Sequence, residues 1–111
     1  PFGEAVRGAL ENALNLGKSF GFETTNLDGY AGCIDYGCGE EMLGVVAHVD
    51  VVPEGEGWIH PPYAAEIADG RIYGRGTMDD KGPAVCDLCT CRNQGSRHSH
   101  APPCPNHSRH E

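Results

Sequence analysis

The sequence has few basic residues and no long apolar run, and each absence excludes a class of protein. Only 8 lysines and arginines stand against 16 aspartates and glutamates, so the formal net charge is -8. Because a nucleic-acid-binding protein needs a basic face, this balance argues against one, and it gives no support for an anionic membrane surface. No apolar run approaches the ~20 residues of a membrane-spanning helix, and no signal peptide is recognisable. We therefore expect neither nucleic acid nor membrane as a partner.

Apolar residues are also scarce at the end of the chain. Residues 86–111 contain one leucine and no isoleucine, valine, methionine or aromatic residue. Such a segment cannot bury much surface, so we predict a folded part over residues 1–85 and a disordered Cys/His/Pro-rich tail over residues 86–111. Four of the six cysteines crowd this tail and two lie in the first half of the chain, which is not the spread of a disulfide framework. This distribution favours a reducing compartment, and we expect a cytoplasmic protein.

Hydrophobic periodicity predicts one helix followed by several strands. Residues 4–20 carry apolar side chains at helical spacing and form one apolar stripe. Three strand-like segments follow: FETTNL, YAGCIDY and MLGVVAHV. The last of these, residues 42–49, is the most apolar and is predicted to be the most buried strand. Next, AAEIADGRIYGRG is typical of a hairpin whose tight turn is Asp69-Gly70. This order predicts an α/β domain with an N-terminal helix and a mixed sheet.

A histidine and an aspartate interrupt the most apolar segment at its end. His48 and Asp50 are two residues apart, which on a strand directs both side chains to the same face. The carboxyl end of such a strand is where open α/β sheets place their ligand sites. A neutral imidazole there can bind a divalent metal, and a nearby carboxylate can fix its ring. The alternative is a strand-end pair that contacts only water.

A second candidate is the segment YGRGTMDDKGP at residues 73–83, in which glycines precede the adjacent acids Asp79 and Asp80. Adjacent carboxylates repel each other and usually mark a solvated turn, but a bound cation would remove the repulsion. The glycines would let the backbone bend around such a site. Either segment alone is a weak signal. Together, separated by a Pro/Gly-rich loop and a hairpin, they indicate a metal site.

At this point a family resemblance is apparent. GVVAHVDVVPEGEGW followed by GRIYGRGTMDDKGP resembles the metallopeptidase family of carboxypeptidase G, aminoacylase and succinyl-diaminopimelate desuccinylase. Within it, the VVPEGEGW loop and the DDKGP ending are most similar to the bacterial dipeptidase V and Xaa-His dipeptidase branch. The resemblance covers residues 1–86. It implies part of the α/β catalytic domain of a di-zinc exopeptidase, a domain that is accompanied in the family by a smaller lid or dimerisation domain.

The resemblance also implies roles for individual residues. His48 would bind one metal ion, and Asp50, the catalytic aspartate, would orient His48. Asp79 rather than Asp80 would bridge two metal ions. A cis peptide is implied after the bridging aspartate. The implied cofactor is zinc, two ions per complete site, with manganese or cobalt as substitutes. Two metals ~3.5–4 Å apart would share and activate a water that attacks the peptide bond.

The implied activity is metal-dependent hydrolysis of dipeptides, with a small peptide as substrate. The family's general-base glutamate lies in a Glu-Glu pair downstream of the bridging aspartate, and this chain has neither that pair nor the later metal ligands. We therefore expect an N-terminal fragment that is inactive alone. The alternatives are an amidohydrolase of N-acyl or N-succinyl amino acids and a non-catalytic metal-binding fragment. The oligomeric state stays open.

The tail admits two further hypotheses. In the family a helix follows the segment that corresponds to DDKGPAV, and the tail lacks the composition of such a helix. A change of reading frame would explain this departure, and sequencing the encoding DNA would test it. The rival hypothesis is a Cys/His zinc module, because cysteines and histidines are abundant there. Its spacing fits no common zinc finger, and it has no apolar residues for a core.

Overall fold

The computed structural model describes residues 1–38 and 40–97. Its helices and strands are α1 (Glu4–Ser19), β1 (Glu23–Leu27), β2 (Ala31–Asp35), β3 (Glu66–Ala68), β4 (Arg71–Tyr73) and α2 (Lys81–Arg97). Strands β1 and β2 form one antiparallel pair, and β3 and β4 form another. The predicted α/β class is confirmed. The prediction of a mixed sheet is not met in the described residues, because both pairs are antiparallel and each stands alone.

Helix α1 packs its apolar stripe against the β1–β2 hairpin. Leu14 is the most deeply buried apolar side chain of the described residues, at 6% exposure. The helix and the hairpin approach closely at two glycines. A Cβ at Gly17 would lie 2.9 Å from Ile34 Cγ2, and a Cβ at Gly32 would lie 2.8 Å from Leu14 Cδ2. On the solvent side, Arg7 pairs with both Glu4 and Glu11, which supports the first turns of the helix.

The β3–β4 hairpin has the predicted two-residue turn. Asp69 and Gly70 both have positive φ, 51° and 72°, as a type I′ turn requires. The turn pairs Ala68 with Arg71 in register. His60 from the preceding loop stacks on Tyr73 at a ring distance of 4.0 Å and lies 3.2 Å from a carboxylate oxygen of Glu66. These contacts attach the hairpin to the loop that follows His48.

The prediction of a buried strand over residues 42–49 is wrong. The structure gives this segment no strand, and its apolar side chains are exposed, with Val46 at 96% and Leu43 at 89%. A strand exists only through hydrogen bonds to a partner strand, and no described segment pairs with this one. The segment is apolar, but composition alone does not supply the neighbouring strands.

The prediction for the tail also needs correction over part of its length. Helix α2 runs from Lys81 to Arg97 and crosses the boundary predicted at residue 85. Helical hydrogen bonds are local, so a segment with few apolar residues can still form them. Pro83 lies in the first turn, where a proline is tolerated. Arg92 stacks over Phe20 at 4.6 Å, which brings α2 against the end of α1. Residues 98–111 lie outside the described part.

The cysteines differ in their chemical state. Cys33, Cys86, Cys89 and Cys91 are free thiols, whereas Cys38 is disulfide-bonded. The predicted cytoplasmic location stays a prediction. Neither helix in the described ranges is long and apolar enough to cross a membrane.

Two glycines of α1 provide a matched test of this packing. Gly8 has open space where a Cβ would be, whereas Gly17 faces Ile34. Gly8→Ala should stabilise the fold by about 0.5–1 kcal/mol, because alanine loses less entropy in a helix. At Gly17 the same gain is outweighed by overpacking of about 1–3 kcal/mol, so Gly17→Ala should destabilise it. Urea unfolding followed by circular dichroism at 222 nm measures both. Equal shifts of the same sign would contradict the close approach.

Candidate metal centre

Two segments that are distant in sequence bring a histidine and an aspartate together. His48 Nε2 lies 2.9 Å from Asp79 Oδ1, although the residues are 31 positions apart. His48 lies in a segment without regular secondary structure that precedes the Pro/Gly-rich loop, and Asp79 lies just before α2. Both side chains reach solvent, with His48 49% and Asp79 82% exposed. The two predicted metal ligands are therefore neighbours on an accessible surface.

Asp50 contacts the other nitrogen of the same ring. His48 Nδ1 lies 3.2 Å from the backbone oxygen of Asp50 and 3.3 Å from its carboxylate Oδ1. The backbone oxygen of Asp50 accepts a hydrogen bond from Nδ1–H, and its carboxylate lies at ion-pair distance from the same nitrogen. With a proton held on Nδ1, Nε2 donates to Asp79 when the ring is protonated and is free to bind a metal ion when the ring is neutral. The two-residue spacing gives this contact even though the segment is not a strand. Asp50 is thus placed to orient the imidazole.

The adjacent aspartates Asp79 and Asp80 have different partners. Asp79 approaches the imidazole, whereas Asp80 Oδ2 accepts a hydrogen bond from the backbone N–H of His48 at 3.2 Å. The peptide bond between them is cis, as the family resemblance implied. Because only Asp79 approaches the ring of His48, Asp79 is the better candidate for the metal ligand, whereas Asp80 holds the His48 backbone. The sequence reasoning did not find that role for Asp80.

The carboxylate of Asp79 raises the pKa of His48 above its usual value, chiefly through the hydrogen bond to the ring. Desolvation opposes the shift, and the Asp50 backbone contact reinforces it. Because the folded-state pKa is raised, protonated His48 stabilises the fold below about pH 6.5, and this contribution is lost as the pH rises through the raised pKa. A metal ion needs the neutral ring, so metal affinity should fall as the pH decreases through the same range.

The geometry of the pair suits a divalent ion. Two ligand atoms on one tetrahedral zinc ion stand about 3.3 Å apart, and His48 Nε2 and Asp79 Oδ1 are at 2.9 Å, so a shift of a few tenths of an ångström would admit the ion. Oxygen and imidazole nitrogen are both ordinary zinc ligands. Within residues 1–38 and 40–97, no group of three or more histidine, cysteine, aspartate or glutamate side chains could hold a metal. The described chain therefore contributes two facing donors rather than a closed site.

The loop after Asp50 is tied to the segment before Asp79 by a cluster that the sequence reasoning did not identify. The backbone oxygen of Glu54 accepts hydrogen bonds from Trp58 Nε1 at 2.7 Å and from an Arg75 terminal nitrogen at 3.0 Å. Tyr63 donates to the Glu54 carboxylate at 2.8 Å, a contact that raises the pKa of Tyr63. The pKa of Glu54 is lowered first by a hydrogen bond from its own backbone and then by Tyr63. We call Glu54, Trp58, Tyr63 and Arg75 the loop cluster. A cavity of about 460 Å³ lies beside it.

Comparison with known proteins places this sequence in a family. The profile of Peptidase family M20/M25/M40 matches residues 44–101, which include His48, Asp50 and Asp79. "Putative dipeptidase YtjP" of Bacillus subtilis is 55% identical over 85 residues, and "Beta-Ala-Xaa dipeptidase" of Lactobacillus delbrueckii subsp. lactis is 46% identical over 86 residues. Each alignment covers 77% of this chain and 18% of the relative. No solved structure matches.

The chain belongs to Peptidase family M20/M25/M40. Its predicted resemblance to metallopeptidases with dipeptidase members is confirmed. The chain spans about a fifth of the length of these curated relatives. The ligand roles of His48 and Asp79 and the orienting role of Asp50 stay predictions, which the contacts described above support.

The ring contact predicts a specific change in the titration of His48. Asp79→Asn removes the negative charge beside Nε2, so the pKa of His48 should fall towards the ordinary value of about 6.5. Asp80→Asn is the matched control, because Asp80 contacts the backbone of His48 and not its ring. NMR titration of the His48 ring protons in the metal-free chain measures both. A larger shift with Asp80→Asn than with Asp79→Asn would contradict the assignment.

Proposed function

We propose that this chain supplies part of the metal centre of a metal-dependent dipeptidase. In this proposal His48 and Asp79 are ligands and Asp50 orients His48. The observation that carries the proposal is the 2.9 Å approach of His48 Nε2 to Asp79 Oδ1, with Asp50 on the opposite ring nitrogen. The names of the relatives, both dipeptidases, favour a small peptide as substrate over the alternative N-acyl or N-succinyl amino acids.

The donor set fits zinc, with manganese or cobalt as substitutes. What such an ion supplies at a peptidase centre is polarisation of the carbonyl and a water that ionises near neutral pH. The residues of this chain prepare the site for it. Asp50 keeps the proton of His48 on Nδ1, and Asp79 offers one oxygen towards His48. The second oxygen of Asp79 has no hydrogen bond from the described residues, so it is available for the second ion of a two-metal site.

Proton transfer to the leaving amine needs a further group. Within the described ranges, no glutamate carboxylate is hydrogen-bonded or ion-paired to His48 or Asp79. Glu40, in a bend, and Glu41, directly after it, are exposed and precede the His48 segment, and we assign them no role. We therefore propose that the 111-residue chain alone binds zinc weakly and hydrolyses no dipeptide. The non-catalytic metal-binding fragment remains the second candidate, favoured by this absence of a general base.

Zinc titration of the chain tests the ligand assignment. His48→Ala and Asp79→Ala each remove a ligand and should abolish binding at this site. Asp50→Asn keeps the ligands but loses the orienting charge, and should weaken binding about tenfold. The matched control is His60→Ala, because His60 pairs with Glu66 away from the site. Isothermal titration calorimetry measures all four variants.

Two results would count against this proposal. Zinc binding that survives both ligand substitutions would place the metal elsewhere in the chain. Rapid hydrolysis of dipeptides by the purified 111-residue chain, lost in His48→Ala, would show that the general base is present and would overturn the proposed inactivity.

A further inference from the structure

We propose that Arg75 is a positioning residue that holds Asp79 in reach of His48 by fastening the loop cluster. This inference rests on the proposed function, because it concerns how that metal centre is assembled. Arg75 precedes Asp79 by four residues, and Glu54 follows Asp50 by four residues. The bond between Arg75 and Glu54 therefore joins the two segments that carry the candidate ligands.

The Arg75 side chain makes two contacts to the loop that follows Asp50. One terminal nitrogen donates to the backbone oxygen of Glu54 at 3.0 Å, and the guanidinium carbon lies 5.3 Å from the centre of the Trp58 ring. Trp58 donates to the same Glu54 oxygen at 2.7 Å. The two donors converge on one acceptor while the guanidinium covers the ring, and stacking of this kind favours arginine over lysine.

The backbone around Arg75 adds contacts at the two ends of the loop. The Arg75 N–H donates to the oxygen of Pro62 at 2.6 Å. At Gly76, where φ is +87°, a Cβ would lie 2.8 Å from Val51 Cγ1. The Gly76 oxygen in turn accepts the N–H of Lys81 at 3.0 Å, at the start of α2. The segment before Asp79 is thus held between the loop on one side and α2 on the other.

The same contacts argue against Arg75 as a binder of substrate. Its guanidinium is committed to the Glu54 oxygen and the Trp58 ring, and its Nε atom is buried without a hydrogen-bond partner in the described structure. Arg71, only four residues earlier, has an exposed side chain. An arginine that binds substrate would have an exposed side chain, as Arg71 has, whereas Arg75 is half-buried.

The test compares Arg75→Met with Arg71→Met in the 111-residue chain without metal. The readout is the amide exchange of His48, whose N–H donates to Asp80 Oδ2. If Arg75 holds the two segments together, Arg75→Met should speed this exchange about threefold or more, the effect of weakening one hydrogen bond. Arg71→Met should leave the rate unchanged. NMR measures the single amide, and circular dichroism reports on the helices.

A second readout is zinc affinity. Arg75→Met should lower the affinity about tenfold, as loss of an orienting contact does. Arg71→Met should leave the affinity unchanged. If Arg75→Met loses its helical signal, Trp58→Phe replaces it, because this variant keeps an aromatic ring and removes only the second donor to Glu54. It should speed the His48 exchange in the same direction.

Unchanged His48 exchange in Arg75→Met, or equal acceleration in Arg71→Met, would overturn the positioning role. Faster exchange with unaltered zinc affinity would overturn it as well, because the fastening would then not serve the metal centre. If the unsubstituted chain binds no zinc, the proposed ligand roles fail, while the metal-free exchange measurement still decides whether Arg75 joins the two segments.

Discussion

The contact between His48 Nε2 and Asp79 Oδ1 is the interaction on which the functional interpretation depends. It joins segments 31 residues apart, and every other feature of the site is arranged around it. Asp50 fixes the ring from the opposite nitrogen, and Asp80 holds the backbone of His48. The pair is exposed and lacks a third ligand in the described ranges. Its geometry is that of an open site, which supplies donors and leaves room for further ligands and a substrate.

Local features of the fold could be predicted from the sequence. The helix α1, the strands β1 and β2 and the Asp69-Gly70 turn each depend on residues that are close in the chain, and the structure contains all of them. The candidate site residues are predicted from the spacing of His48 and Asp50 together with the paired acids and from the family resemblance, and their roles stay predictions. Spacing predicts the contact between His48 and Asp50, whereas the pairing of His48 with Asp79, 31 residues away, is implied only by the family resemblance.

Features that depend on distant partners could not be predicted. Residues 42–49 are apolar enough for a buried strand, yet burial needs neighbouring strands, and none pairs with them here. Helix α2 was missed for the opposite reason, since its hydrogen bonds are local and its composition gave no apolar signal. The loop cluster could not be predicted because its central acceptor is the backbone oxygen of Glu54, and a backbone oxygen has no signature in the sequence.

X-ray absorption at the zinc edge, on the chain loaded with one equivalent of zinc, tests the central claim most directly. Imidazole nitrogen and carboxylate oxygen bind zinc at about 2.0–2.2 Å, whereas cysteine sulfur binds at about 2.3 Å and scatters more strongly. If His48 and Asp79 hold the metal, the first shell contains only nitrogen and oxygen and shows the outer-shell scattering of an imidazole. A first shell with two or more sulfur atoms would place the ion on the cysteines and contradict the assignment.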